Sequence, residues 1–325
     1  MVNFITANRA STILYNFILS NDKVKGTWLI PTNVCHFVPA TILKAGAKIE
    51  ILDISEKDLC INQDQVTSRL MNNKKKYSGI IYVRSYGVDN NAADFFSKIK
   101  KIKSNLLLVD DKCLGIPSFD KKINLLVDLE LFSTGYSKYI DLGYGGFAKL
   151  NSKCNYEKIR LKYSKKDEDT FSEYFKNIVY NNTKVDQQEL VEIVNLNWLN
   201  SKEIINKKTY FTEVKAAIKK TKVNKAAINN VYKKALINDV NFKESSTNWR
   251  YNILVNKREE ILKTLATQGL FASKHYYPLS KIFEANETPI WNFIYNKILN
   301  LFNDFRYTIN QAKKTTAIIN KIENK

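Results

Sequence analysis

The 325-residue chain carries 51 lysines and arginines against 32 acidic residues, for a net charge of +19, with 44% hydrophobic and 12% aromatic residues. Such a composition excludes a disordered chain and leaves room for a large core and two domains. No stretch reaches the roughly 20 apolar residues that span a bilayer, and "MVNFITANRASTILYNF" lacks the basic, apolar and small-residue order of a signal peptide. The lysines are dispersed, and runs such as "NNKKKY" and "KKTKVNK" read as solvated faces. That dispersal makes a nucleic-acid partner, which the net charge alone would invite, the weaker reading, while the charge still suits an anionic substrate. Four cysteines without C-x-x-C spacing predict reduced thiols and a cytoplasmic location, and two histidines leave little room for a metal site.

Along the chain, "ASTILYNFILSN" places Ala10, Ile13, Leu14, Phe17 and Ile18 on one face of a helix. Apolar runs at 27–30, 49–53, 79–83, 105–110, 128–133 and 145–150 then read as strands, with a helix over 92–102 between two of them. Strands alternating with helices predict an α/β fold with a mainly parallel sheet, whose ligands bind at the carboxyl ends of the strands. Residues 156–240 read as mostly helical, 249–255 as a strand, 256–270 as a helix and the tail as a closing helix. The expected division is a large domain over 1–204 and a smaller α+β domain over 205–325.

The strand ends hold the chemistry. "LLLVDDKC" puts Asp110 and Asp111 at one end, and alternation allows only one of them to face a given site. "LFSTGYSKYIDLGYGGFAKL" puts Ser133 at the next, with Lys138 beyond it and Gly143, Gly145 and Gly146 following. "TANRAST" opens the first helix, whose free N–H groups suit a phosphate. An amine for a Schiff base, a carboxylate for a pyridinium nitrogen, and hydroxyls with a helix start for a phosphate are the parts of a pyridoxal phosphate (PLP) site. The glycines are expected to let backbone approach the cofactor.

The chain resembles the DegT-type family of sugar aminotransferases, a fold-type-I branch of PLP enzymes. "WLIPTNVCHFVPATILKAGAKIEILDI", "VDDKCLGIP" and "FSTGYSKYIDLGYGG" carry the likeness, and "WRYNILVNKREEILKTLATQGLFASKHYYPL" extends it more loosely. The resemblance implies a fold-type-I large domain with a smaller C-terminal one. It gives Lys138 the cofactor linkage and proton transfer, Ser133 a phosphate contact, and Asp111 the ring nitrogen, with Asp110 as the alternative if the register slips. Asn8, Arg9 and Ala10 take the place of the phosphate loop. Three positions depart from the family: Leu114 replaces a glutamine, Cys35 replaces the aromatic that covers the ring, and no loop for the partner subunit is evident. His36, next to Cys35, is either a substitute ring cover or a core or surface histidine.

Further candidates are less determined. Arg250 fits either an amino donor's carboxylate or a structural strand edge. His275, Tyr276 and Tyr277 could line a sugar pocket or pack a domain interface, and Arg84 and Tyr86 are candidate ligands for phosphate or pyrophosphate. The resemblance implies a homodimeric aminotransferase that takes its amine from glutamate and gives it to a nucleotide-linked keto sugar, for a surface polysaccharide. Retention of a lysine at 138 favours transamination, because dehydrating relatives carry histidine there. The rival readings are a PLP enzyme of another type, such as a lyase, and a binding or regulatory protein on a degenerate scaffold.

Overall fold

The predicted apolar runs become strands in a computed structural model that describes residues 3–120, 123–183, 185–237, 249–283 and 285–324. The large sheet contains β1 (Asn3–Ala7), β2 (Thr27–Pro31), β3 (Lys48–Leu52), β4 (Tyr77–Val83), β5 (Leu107–Asp111), β6 (Leu129–Ser133) and β7 (Gly146–Leu150). Its order is β1-β7-β6-β5-β4-β2-β3. Strands β3, β2, β4, β5 and β6 pair in parallel, and β7 runs antiparallel to both β6 and β1. The alternating strands and helices thus give the α/β architecture they predict. Strand β1 was not anticipated, because five residues with two polar members give too short a pattern to separate from a loop.

Side-chain parity along these strands sorts the sheet into two faces. Trp28, Ile30, Ile81, Val83, Val109, Leu129 and Leu131 share a core with α1 (Ala10–Asn21) and α2 (Phe37–Lys44). Leu29, Ile80, Tyr82 and Leu108 point the other way, onto α3 (Gln63–Asn73) and α4 (Ala93–Ile102). The same parity carries Asp111 and Ser133 to the α1 face and Asp110 to the α4 face. Helix α1 is buried on nearly all sides rather than along one stripe. Its outer side is covered by the segment that holds α5 (Lys165–Asn181) and α6 (Gln187–Asn195), where Thr12 donates to the Asn200 carbonyl and Asn16 to the Tyr156 hydroxyl.

Helix α7 (Lys207–Ala235) connects the two parts of the molecule. Its start, at Tyr210 and Val214, packs on Phe132 and Phe147, whereas Ile228 and Tyr232 join the second core. That core surrounds a three-stranded antiparallel sheet of β8 (Tyr251–Leu254), β10 (Ile298–Leu301) and β9 (Ala272–Ser273), in the order β8-β10-β9. Helices α8 (Arg258–Thr267) and α10 (Ile309–Glu323) complete it, and α9 (Pro289–Lys297) packs Trp291, Ile294 and Tyr295 into a separate cluster with Tyr86 and Trp249. Within the described residues no helix is long and apolar enough to cross a membrane.

One carboxylate ties the parts together. Asp53, buried just past β3, accepts from the backbone N–H groups of Ile290 and Trp291 at 2.8 and 3.0 Å, and from Ile54 at 2.8 Å. It thereby satisfies first-turn donors of α9 that no α9 side chain caps. Asp53→Ala is expected to lower the unfolding free energy by about 1–3 kcal/mol, as buried donors lose their acceptor. Urea unfolding checks this, and an unchanged midpoint would contradict it.

Candidate active site

At the carboxyl ends of β4, β5 and β6 and beside the start of α1 lies a cavity of about 410 Å³. Lys138, Asp111, Ser133, Arg9, Ala10, Cys35 and Tyr276 all line it. Asn8 does not, since its N–H and C=O are engaged by the Lys202 carbonyl and the Gly145 N–H. Parallel strands ending together explain the location, because each chain turns away from the sheet and leaves a crevice there.

Lys138 comes from the loop between β6 and β7, and among the described residues no hydrogen bond or ion pair holds its ammonium. Burial opposes its charge, but Tyr276, Cys113, Cys35 and Asp111 around it raise its pKa overall. Asp111 accepts from the Cys113 N–H at 2.9 Å. Its pKa is raised because burial outweighs that hydrogen bond and the nearby Lys138 charge. Asp110, one residue away, is paired on the opposite face with Arg84 at 2.7 and 3.0 Å.

The first turn of α1 opens on the same cavity. Arg9 occupies the N-cap position without capping the helix, and its guanidinium pairs with Glu168 of α5 at 2.9 Å. The Ser133 hydroxyl accepts from the Gly135 N–H at 3.3 Å. A helix start that no side chain caps, a hydroxyl and a guanidinium together make a site suited to an anion. Apolar walls come from Leu14, Val34, Val83, Leu114 and Leu131.

Several expected ligands lie elsewhere. His36 does not line the cavity; it stacks on Phe175 with ring centroids 4.3 Å apart, and burial lowers its pKa to about 3. It is a core histidine, because α2 directs it into the aromatic cluster of α5. Arg84 is buried in its pair with Asp110 and lies over the rings of Tyr82 and Phe96. Tyr86 is fully buried behind the cavity, donates to the His275 carbonyl and contacts the ring of Tyr276. His275 packs edge-on against Trp249, and burial holds its pKa down at about 3. Arg250 binds the hydroxyls of Ser137 and Ser273 rather than the cavity. Tyr277 donates to Asn182 outside the cavity.

The glycine cluster has a packing role. A Cβ on Gly146 would lie 2.6 Å from the Ala10 nitrogen, and one on Gly145, at φ +92°, would lie 2.6 Å from the Thr134 hydroxyl. Neither lines the cavity. Gly146 lets β7 pass against the start of α1, whose first residues line the cavity with Lys138, and Gly145 makes room for Thr134 and Tyr210. Gly135, preceding the lysine, is the glycine that does line the cavity. The sequence reading also missed Glu168, Ser172, Trp198 and Asn200, which close the cavity from the helical segment. Trp198 within the polar run "NLNWLN" was the one available signal.

The sequence signature of the DegT/DnrJ/EryC1/StrS aminotransferase family matches residues 18–290, and the chain belongs to that family. No curated protein matches its sequence. The fold is similar to that of a DegT DnrJ EryC1 StrS aminotransferase from Brucella abortus, at 14% identity and a TM-score of 0.69 over 99% of this chain and 86% of that one. It is also similar to the sugar aminotransferase CalS13 from Micromonospora echinospora, at 14% identity and a TM-score of 0.62 over 98% and 87% of the two chains. A third similar structure is the GDP-4-keto-6-deoxy-D-mannose-3-dehydratase of E. coli with bound hydrated PLP, at 14% identity and a TM-score of 0.61 over 97% and 87%.

The raised pKa of Asp111 has a consequence for stability. A carboxyl that holds its proton better in the fold than in the unfolded chain favours folding most below its ordinary value of 3.8, and this is lost as pH rises through the folded value. Once that contribution is lost, Asp111 supports the cofactor-free fold less than it does in acid. Asp111→Asn is expected to raise its melting temperature near pH 7, with the gain vanishing toward pH 4. A lower melting temperature at pH 7 would contradict this.

Proposed function

We propose that the protein is a PLP-dependent aminotransferase that moves an amino group from glutamate to a nucleotide-linked keto sugar. The observation that carries the reading is the convergence of Lys138, Asp111, Ser133 and the uncapped start of α1 on one cavity. These residues fit the cofactor. An unpaired amine meets an aldehyde, a buried carboxylate meets a ring nitrogen, and a helix start with a hydroxyl meets a phosphate.

Bound PLP supplies an electrophilic carbon and a ring that withdraws electrons from the substrate Cα. Lys138 Nζ would hold the cofactor covalently and, as a free amine, would be the base that takes and returns the substrate proton. For the first of these roles it would have to give up a proton that Tyr276, Cys113, Cys35 and Asp111 around it favour. The Asp111 carboxylate would meet the ring nitrogen and favour its protonated form. Ser133, Arg9 and the first amides of α1 anchor the phosphate. Leu114, Val34 and Leu131 limit water, and Tyr276 and Cys35 flank the lysine.

Membership of an aminotransferase family and likeness in fold to a sugar aminotransferase and a nucleotide-sugar dehydratase support the sugar class. The basic chain suits the anionic nucleotide and glutamate. In this reading the protein works in the cytoplasm, its product is an amino sugar for a surface polysaccharide, and a second copy covers exposed Tyr136 at the cavity mouth.

The test is the visible spectrum of the purified protein with PLP, before and after glutamate. A long-wavelength band that disappears on adding glutamate, and returns on adding a nucleotide-linked keto sugar, is the expected result. A band that glutamate leaves untouched would replace transamination with another reaction type, and no band would remove the cofactor.

A further inference from the structure

We infer that Trp249 and Arg250 are positioning residues for Lys138, acting through a clamp on Ser137. This rests on the role given above to Lys138. Among the described residues the lysine ammonium has no hydrogen bond or ion pair to aim it, so the backbone just before it sets its direction into the cavity. That backbone is unusual: Ser137 has φ +58°, a left-handed conformation unfavourable for a residue with a Cβ. Such a conformation persists when its surroundings over-determine it.

All three polar groups of Ser137 are held. Its N–H donates to Asp141 Oδ2 at 2.8 Å, its carbonyl accepts from Trp249 Nε1 at 2.6 Å, and its hydroxyl accepts from Arg250 Nη2 at 2.8 Å. The holders are themselves anchored. Asp141 pairs with Arg306 at 2.8 Å, and the Trp249 carbonyl accepts from the buried Lys225 Nζ at 2.6 Å. Lys225 also donates to Asn303 at 2.7 Å. The Trp249 ring stacks on Tyr276, a wall of the cavity, with centroids 5.8 Å apart and 15° between planes. Two donors from the residues leading into β8 thus reach the residue that precedes the lysine directly, while Lys225 of α7 and Arg306 of the loop before α10 brace Trp249 and Asp141 behind it. The small sheet and its flanking segments therefore take part in aiming Lys138, although the lysine belongs to the large sheet. Packing alone would account for the buried Trp249 ring, but not for two side-chain donors directed at one left-handed serine.

The experiment measures the acetylation rate of each lysine in the cofactor-free protein under trace acetic anhydride, by peptide mass spectrometry. Trp249→Phe keeps a ring and removes the donor, and Ser137→Ala removes one acceptor at a partly exposed position. Each is expected to change the Lys138 rate by about threefold to tenfold, the scale of one lost hydrogen bond. Buried Lys149, paired with Glu130 at 3.0 Å, should be unchanged and serves as the control for general loosening. Arg250→Lys should fall between wild type and Arg250→Gln. An unchanged Lys138 rate in both Trp249→Phe and Ser137→Ala, or one that moves only in step with Lys149, would overturn the inference. If Trp249→Phe fails to fold, Ser137→Ala alone decides. No PLP is present, so failure of the cofactor reading would leave these rates as expected while the protein gave no band with PLP.

Discussion

Two adjacent aspartates at the end of one buried strand impose the constraint from which the site follows. A strand sends neighbouring side chains to opposite faces, so Asp110 and Asp111 cannot share an environment. Asp110 enters the α4 face and is neutralised by the two-pronged pair with Arg84. Asp111 enters the α1 face, where its N–H donor from Cys113 does not offset the loss of water. One carboxylate is consumed by structure, and the other is kept in a state that a cationic ring would relieve. Leaving a carboxylate without a full partner in an apolar cavity opposes folding, which is a common mark of a binding site.

The rest of the architecture brings complementary groups to that carboxylate. Ser133 shares its parity on the next strand, and β7 passes closely enough at Gly146 to bring the start of α1 alongside. Arg9 leaves that helix start uncapped and pairs with Glu168 instead. The second sheet contributes through Tyr276 directly and through Trp249 and Arg250 at one remove. Asp53 fastens α9 to the end of β3, so both sheets keep one relation across the cavity.

Much of this was legible in the residues. The buried strands announced themselves as short apolar runs bounded by polar segments, and the order Asp111, Ser133, Lys138 placed chemistry at their ends. Which aspartate faces the cavity was not legible, because one residue of register decides it. Local sequence also could not show long-range engagement. Arg84 is drawn to Asp110, His36 to the rings of α5, and Arg250 to Ser137, over separations of 26, 139 and 113 residues. The glycines drew notice for the right segment and the wrong reason, since Gly146 closely approaches α1, and Gly145 approaches Thr134 and Tyr210, rather than a ligand. The helical segment that covers α1 carried little apolar periodicity, so its contribution of Glu168 and Trp198 to the cavity stayed hidden.

The measurement that tests the central claim most directly is borohydride reduction of the PLP-treated protein, followed by mapping of the attached group by mass spectrometry. The account predicts one modified residue, Lys138, at one group per chain. Modification spread over surface lysines, with Lys138 spared, would contradict it.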